Sequence, residues 1–271
     1  MKNGCLKSSG IMAVTSFNNA VISSPMAFCS SFRVCCSSST QQQQLSSSPP
    51  LNKSLQCIHD SAIIACLRAN SAELAIEAAR AAISGGISVL EIVMSTPGIT
   101  VSGAGLSYND LRGNDLQLLV GTVLNVEDAK NATNAGAKFL MSPATVKDIM
   151  EDVRGGEVLY IPGVMTPTEI LSAHDAGAKI VKVYPVSALG GIQYITALKK
   201  PFPHIQMVAS QGITIDSIGD YIAQGATSVV LSDAIFNKEA MDQYNFDKVY
   251  QLARLAALQG REAVERLVLP I

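Results

Sequence analysis

Two charged residues lie inside apolar runs of the sequence, where a charge is costly unless it has a partner or a function. Lys182 lies in Lys-Ile-Val-Lys-Val-Tyr-Pro, which ends at Pro185, and Glu91 lies in Val-Leu-Glu-Ile-Val-Met. An apolar environment favours the uncharged amine of a lysine, which is the nucleophile of Schiff-base chemistry. A carboxylate nearby can move protons for that chemistry. Lys182 and Glu91 are therefore predicted to be a nucleophile and its proton shuttle, with a structural ion pair as the alternative.

Arg68 and Thr122 are candidates for binding the carboxylate of a substrate. Arg68 ends the first predicted strand, and Thr122 lies in the third. Both side chains donate hydrogen bonds, and Arg68 adds a positive charge. The alternatives are a salt bridge at the rim for Arg68 and the ordinary strand preference of threonine for Thr122.

Loops of small residues follow the last three predicted strands. Their backbone N–H groups can bind an anion, and together they predict a phosphate site, although each loop taken singly is only a turn. The residues concerned are Gly190 and Gly191 after strand six, Ser210, Gln211 and Gly212 after strand seven, and Ser232 after strand eight.

The elements that must position these residues follow a regular pattern from residue 60 onward. A short β-branched run, a loop and an Ala-rich stretch recur, which indicates parallel βαβ units and predicts a (β/α)8 TIM barrel. The alternative, an open doubly wound sheet, usually has a glycine fingerprint after its first strand, and none follows Arg68. The predicted strands are 62–68, 88–95, 117–124, 138–142, 157–162, 179–185, 206–210 and 228–231.

Two helices have clear boundary residues, and one segment has few helix-forming residues. Ser71 precedes an Ala-rich helix that Gly85 and Gly86 end, and Thr166-Pro167 opens another helix that ends before Gly177. Residues 99–115 contain three glycines and several Asn, Asp and Ser residues, so a loop or a frayed helix is expected there.

The first 59 residues differ in composition from the rest of the chain, because the first acidic residue is Asp60. A Ser-rich, weakly basic segment without acids predicts a disordered plastid transit peptide at 1–59, ahead of a barrel domain at 60–271. The alternative is a disordered cytosolic tail. Because all the cysteines except Cys66 lie before residue 60, the barrel domain is expected to have no intrachain disulfide.

The overall composition excludes several classes of partner. A net charge of −2 argues against a general nucleic-acid binder, and no apolar run is long enough to span a membrane. His59, His174 and His204 show no ligand spacing, so neither a metal nor another cofactor is expected.

Motifs in this order and spacing resemble those of the 2-keto-3-deoxy-6-phosphogluconate (KDPG) aldolases, a family that includes the 4-hydroxy-2-oxoglutarate (KHG) aldolases. The amino-terminal segment lies outside the resemblance. The motifs are Ala-Cys-Leu-Arg-Ala-Asn-Ser from Ala65, Gly-Gly-Ile-Ser-Val-Leu-Glu from Gly85, Gly-Thr-Val-Leu-Asn from Gly121, Ala-Gly-Ala-Lys-Phe from Ala135, Ser142-Pro143, Ile-Pro-Gly from Ile161, Met-Thr-Pro-Thr-Glu from Met165, the Lys182 strand and Lys-Pro-Phe-Pro from Lys200.

The resemblance implies a (β/α)8 barrel, usually assembled as a homotrimer, and a metal-independent class I aldolase. It implies that Lys182 forms the Schiff base, that Glu91 moves protons and that Thr122 contacts the carboxylate of pyruvate. The products would be pyruvate and glyceraldehyde 3-phosphate. The predicted substrate-binding residues are Arg68, Thr122, Pro143, Gly190, Gly191, Ser210, Gly212 and Ser232.

The chain departs from the family pattern at three positions near the predicted site. Ser95 replaces an arginine, Gln211 replaces a glycine, and Leu231 replaces a glycine before the phosphate-binding serine. Because the last two changes remove backbone freedom near a phosphate, KHG cleavage to pyruvate and glyoxylate is the alternative activity. A barrel that binds a keto acid or a phosphate without turnover is the alternative of another class.

Overall fold

The computed structural model describes residues 50–97 and 116–268. The irregular segment predicted at 99–115 and residues 1–49 of the predicted targeting segment lie outside these ranges. Within them, none of the helices is both long and apolar enough to cross a membrane.

The described strands are all parallel and form one sheet in the order β5-β4-β3-β2-β1-β9-β8-β7-β6. Only Pro162 separates β5 from β6, and its carbonyl accepts a hydrogen bond of 2.8 Å from the backbone N–H of Lys182 in β7. The two short strands therefore occupy one strand position of the barrel, called the fifth stave below, and this stave brings the ends of the sheet together. The (β/α)8 prediction is confirmed. The strands are β1 Ile63–Leu67, β2 Val89–Val93, β3 Gln117–Gly121, β4 Phe139–Met141, β5 Leu159–Ile161, β6 Gly163–Val164, β7 Ile180–Val183, β8 Gln206–Ser210 and β9 Ser228–Leu231.

The break between β5 and β6 follows from two adjacent residues. Pro162 has no N–H to donate to a neighbouring strand, so regular pairing stops there. Pairing resumes at Gly163, whose Cα lies opposite that of Lys182. A Cβ at Gly163 would overlap the backbone of Pro143, so only glycine lets the loop after β4 pass this close to the fifth stave.

The helices surround the strands, and two of them begin where the sequence predicts. Ser71 caps α2 by accepting a hydrogen bond from the N–H of Leu74, and Thr166 and Glu169 form a reciprocal capping box on α5. The helices are α1 Pro50–Ser61, α2 Ala72–Ser84, α3 Val126–Asn134, α4 Lys147–Asp152, α5 Pro167–Asp175, α6 Ile192–Lys199, α7 Ile218–Ala223, α8 Lys238–Asp242 and α9 Phe246–Val268.

Alternation along each strand divides the core into two apolar clusters. In β1, Ile63, Ala65 and Leu67 pack outward against the helices, whereas Ile64 and Cys66 belong to the cluster inside the barrel. Because side chains alternate with a period of two, the same rule assigns every second residue of each strand to the interior. Lys182, two residues after the interior residue Ile180, therefore points inward.

Helix α1 spans the predicted domain boundary between residues 59 and 60, because it begins at Pro50, ends at Ser61 and packs on the barrel. Ile58 is fully buried in the interior cluster, and Leu55 packs against the same cluster. The hydroxyl of Ser54 donates a 3.4 Å hydrogen bond to Gln117 at the start of β3. The helix thus closes the end of the barrel at which the strands begin.

Candidate active site

Lys182 and Glu91 meet inside the barrel from opposite walls. In the ring of staves, β2 and β7 are four steps apart in either direction, counting β5 and β6 as one stave. Nζ of Lys182 lies 3.9 Å from Oε1 of Glu91, and the two residues are only 7% and 1% exposed. The predicted nucleophile and proton shuttle are therefore brought together in a site largely shielded from water.

Glu91 reaches this position because Gly121, two residues beyond its partner Leu119 in β3, has no side chain. A Cβ at Gly121 would overlap the carboxylate of Glu91. The second carboxylate oxygen, Oε2, is buried and has no hydrogen-bond partner among the described residues. It retains lone pairs with which to accept a proton from a bound molecule or a water.

Cys66 is a third member of this layer, and the sequence analysis gave it no functional role. Its Cα lies opposite that of Glu91 in the pairing of β1 with β2, and its thiol lies close enough to the Glu91 carboxylate to sense that charge. Burial, and then the negative charge of Glu91, raise the pKa of the Cys66 thiol well above its usual value. The thiol therefore stays protonated. Side chains two residues apart on a strand point to the same side, so the spacing of Cys66 and Arg68 could have predicted the inward position of Cys66.

Two features flank Lys182 on its own side of the barrel. Its Nζ lies 5.4 Å from the centre of the Tyr184 ring, within the range of a cation–π contact. Gly163 lies opposite it in the pairing of β6 with β7, and the backbone of Pro143 occupies the place that a side chain at Gly163 would take.

The structure places both predicted carboxylate-binding residues at the ends of strands next to β2. Arg68 follows β1 and is exposed, and its positive charge acts on the Cys66 thiol. It has no carboxylate partner within 4.0 Å in the described part of the chain, so the alternative of a rim salt bridge finds no support there. Thr122 follows β3, is half-buried and has a φ of 61°.

The remaining predicted residues lie at the same end of the barrel. Pro143 follows β4, and the loops after β7 and β8 contact each other where the hydroxyl of Ser187 donates a 3.1 Å hydrogen bond to Gln211. Positive φ angles occur at three of the predicted glycines, and at Gln211, where φ is 87°. Ser210 ends β8 and is 4% exposed, Ser232 follows β9, and the three glycines are Gly190, Gly191 and Gly212.

Among residues 50–97 and 116–268, no group of three or more His, Cys, Asp or Glu side chains is positioned to hold a metal ion. A cavity of about 740 Å³ lies near the segments that lead into β5 and β7. Residues 153–160 and 175–179 form most of its lining. It contains none of the predicted site residues.

The chain matches one protein family over most of its length. The model of the KDPG and KHG aldolases matches residues 55–252, which include all the predicted site residues. The chain belongs to the KDPG and KHG aldolase family. The resemblance seen in the sequence is confirmed, and so is the prediction of a carbon–carbon lyase, because the curated relatives are aldolases.

Three curated relatives of the family are bacterial. The chain is 29% identical to 2-dehydro-3-deoxy-phosphogluconate aldolase of Dickeya dadantii over 187 residues, which are 69% of this chain and 86% of that protein. It is 34% identical to the Treponema pallidum aldolase of the same name over 151 residues, 56% of this chain and 70% of that one. It is 28% identical to the KHG/KDPG aldolase of Escherichia coli over 184 residues, 68% and 85% of the two chains.

Solved structures agree with the fold. A structure described as native KDPGal superposes with a TM-score of 0.66 at 26% identity and covers 75% of this chain and 96% of its own. A KDPG aldolase from Legionella pneumophila, with pyruvate captured as a covalent carbinolamine, superposes with a TM-score of 0.66 at 24% identity and covers 75% and 97%. The KDPG and KHG aldolase barrel is thus reproduced over three quarters of the chain.

Proposed function

We propose that this protein is a class I aldolase that cleaves KDPG to pyruvate and glyceraldehyde 3-phosphate. The observation that carries the proposal is the buried pair of Lys182 and Glu91, whose Nζ and Oε1 atoms lie 3.9 Å apart inside the barrel. An amine and a carboxylate at this separation can act on the same substrate, one as nucleophile and one as base.

The reaction begins when the free amine of Lys182 attacks the C2 carbonyl of the keto acid. Loss of water leaves an iminium, which accepts electrons from the breaking C3–C4 bond. Glu91, through a water, takes the proton of the C4 hydroxyl, and the aldehyde leaves. The enamine then receives a proton at C3 from the Glu91 side, and hydrolysis releases pyruvate and restores the lysine.

Arg68 and Thr122 hold the substrate carboxylate in this proposal. They follow β1 and β3, the two strands that flank the Glu91 strand β2. A guanidinium and a hydroxyl on either side of the base would fix the carboxylate next to C2 and orient the carbonyl toward Lys182. The loops after β7, β8 and β9 supply backbone N–H groups for the phosphate at the other end of the substrate.

KHG is the second candidate substrate because of one feature of the phosphate loops. Gln211 has a φ of 87°, a conformation that favours glycine, and its side-chain carbonyl accepts a hydrogen bond from the Ser187 hydroxyl. A side chain in this loop reduces the space for a phosphate. Comparing kcat/KM for KDPG and KHG separates the two aldolases, because a working phosphate site must favour the phosphorylated substrate.

Intact mass after incubation with pyruvate and borohydride tests the Schiff base. We expect a pyruvate-sized adduct on the wild type and on Lys179→Ala, an exposed lysine just before β7, and none on Lys182→Ala. Absence of the adduct on folded wild type would refute the aldolase proposal. The remaining explanation would then be a barrel that binds a keto acid or a phosphate without turnover.

We also propose import into plastids and assembly as a homotrimer. The Ser-rich segment without acidic residues supports import, and because α1 packs on the barrel, the removed part should end before Pro50. The resemblance to a usually trimeric family supports the assembly, together with the exposed side chains of Leu124 and Met165 in the loops after β3 and β6. Uptake by isolated chloroplasts and the mass from light scattering test the two proposals.

A further inference from the structure

A chain of three hydrogen bonds runs on the outer side of the barrel wall, behind the loops that follow β3 and β4. The backbone N–H of Val146 donates to the phenol oxygen of Tyr160 at 3.2 Å. The Tyr160 hydroxyl donates to Oγ of Ser142 at 2.9 Å, and the Ser142 hydroxyl donates to the carbonyl of Val123 at 2.5 Å. Each hydroxyl accepts one bond of this chain and donates the next, and the Tyr160 hydroxyl also lies 3.5 Å from a second acceptor, the carbonyl of Ala144.

Both hydroxyl-bearing residues of this chain are buried. Ser142 is 0% exposed and Tyr160 is 5% exposed, and Tyr160 belongs to the apolar cluster between the sheet and the helices. Burial raises the pKa of the Tyr160 phenol, which therefore stays protonated and keeps donating. Buried, fully paired hydroxyls of this kind fix the groups to which they bond.

The chain ends at the residue that follows Thr122. With a φ of 61°, Thr122 has a left-handed backbone conformation that a β-branched residue rarely adopts. Such a conformation persists only where the surroundings hold it. Here Gly121 accepts a 2.9 Å bond from the N–H of Met94, and Val123 donates a 3.1 Å bond to the carbonyl of Met141. The Ser142 hydroxyl adds the bond that fixes the Val123 carbonyl.

We propose that Tyr160 and Ser142 are positioning residues that hold Thr122 in its left-handed conformation and so set the affinity for the carboxylate of the keto acid. The inference rests on the proposed function, in which Thr122 binds that carboxylate. Tyr160 and Ser142 act through the Val123 backbone rather than on the reacting atoms. Because the carboxylate is bound before and during the chemistry, they should control the half-saturating concentration more than the maximal extent of reaction.

Borohydride trapping at increasing pyruvate concentrations tests the proposal. Tyr160→Phe removes only the hydroxyl, and Tyr194→Phe is its matched control, because that hydroxyl donates a 2.6 Å bond to the Met165 carbonyl outside the chain. For Tyr160→Phe we expect the half-saturating pyruvate concentration to rise about three- to tenfold, as for the loss of one buried hydrogen bond, with the maximal adduct unchanged. Tyr194→Phe should match the wild type.

A second background separates positioning of Thr122 from a general loss of structure. In Thr122→Ala, the further change Tyr160→Phe should leave the half-saturating concentration unaltered, because its target is gone. Ser142→Ala, which removes the last donor, should reproduce the effect of Tyr160→Phe and replaces it if that variant does not fold by circular dichroism.

Three results would overturn the inference: an unchanged half-saturation in folded Tyr160→Phe, an equal rise in the Thr122→Ala background, or an equal rise in Tyr194→Phe. Absence of any adduct on the wild type would overturn the proposed function itself. The wild type is measured first, so this failure is distinguished from a failure of the inference about Tyr160 and Ser142.

Discussion

The carboxylate of Glu91 occupies the space that a side chain at Gly121 would fill. The glycine is therefore required by the position of the Glu91 carboxylate rather than by the strand, because β3 is regular at this position and the φ of Gly121 is not positive. The inward alternation of β2 and β3 brings the two residues together.

We predict that Gly121→Ala displaces the Glu91 carboxylate and lowers kcat at least about a hundredfold, the usual contribution of a general base. The matched control is Gly219→Ala in α7, where a Cβ would be 3.6 Å from Arg266 in ordinary contact. Steady-state kinetics of both variants checks the prediction. Near-wild-type kcat in Gly121→Ala would show that Glu91 does not need its present position.

We predict that Glu91→Gln separates imine formation from proton transfer. The amide keeps the shape of the side chain but cannot accept the proton, so exchange of the C3 protons of pyruvate in D2O should slow by about 10²- to 10⁴-fold. Borohydride trapping at Lys182 should persist, since the nucleophile remains. NMR of pyruvate measures the exchange, and exchange at the wild-type rate would assign the proton transfer to another group.

The stability of the fold should depend on the protonation of Cys66 at alkaline pH. Its pKa is raised in the folded state, so above the ordinary thiol pKa the unfolded chain loses a proton that the folded chain retains. Stability from this group is therefore fully present below that pH and falls as pH rises, by at most about 1.4 kcal/mol per pH unit. Cys66→Val should remove this part of the decline.

Denaturant unfolding of the wild type and of Cys66→Val between pH 7 and pH 10 measures that difference. The difference between the two free energies of unfolding should be constant near pH 7. Toward pH 10 that difference should change in favour of the valine variant. Parallel curves throughout would mean that the thiol ionises normally in the folded protein. Cysteines outside the barrel are present in both proteins and cancel from the difference.

The capping box of α5 predicts the opposite pH dependence at the acid end. Backbone N–H groups of Met165 and then Thr166 donate to the Glu169 carboxylate and lower its pKa. A lowered pKa stabilises the fold above the ordinary carboxyl pKa, and that part is lost as pH falls through the folded value. Glu169→Gln should cost about 0.5–1 kcal/mol at neutral pH and little in acid, measured by urea unfolding. The same cost at both pH values would contradict this.

The barrel strands and the buried pair of Lys182 and Glu91 could be predicted from the sequence because both depend on local pattern. β-branched runs separated by Ala-rich stretches predict staves, and a charge within such a run stands out, as at Lys182. The contacts of Tyr160 could not be predicted, because they join residues 123, 142 and 160 only after the register of three strands is set. The left-handed conformation of Thr122 depends on those same contacts rather than on the residue type.

Composition alone does not reveal helix α1, which spans the change in composition at Asp60. Charge and serine content change at Asp60, yet Leu55 and Ile58 are spaced as on one face of a helix, and both pack against the barrel interior. An averaged composition over 59 residues hides a twelve-residue helix at its end. The helical spacing of Leu55 and Ile58 is the feature of the sequence that indicates this helix.

That helix should contribute measurably to stability. Ile58 is fully buried in the interior cluster, so Ile58→Ala should lower the free energy of unfolding by about 2–4 kcal/mol through lost burial and the cavity left behind. Lys53→Ala is the control on the same helix, because Lys53 is exposed and its change should stay within about 0.5 kcal/mol. Urea unfolding of the two variants gives the comparison. Equal, small effects would mean that the barrel is stable without α1 and would move the domain boundary back toward residue 60.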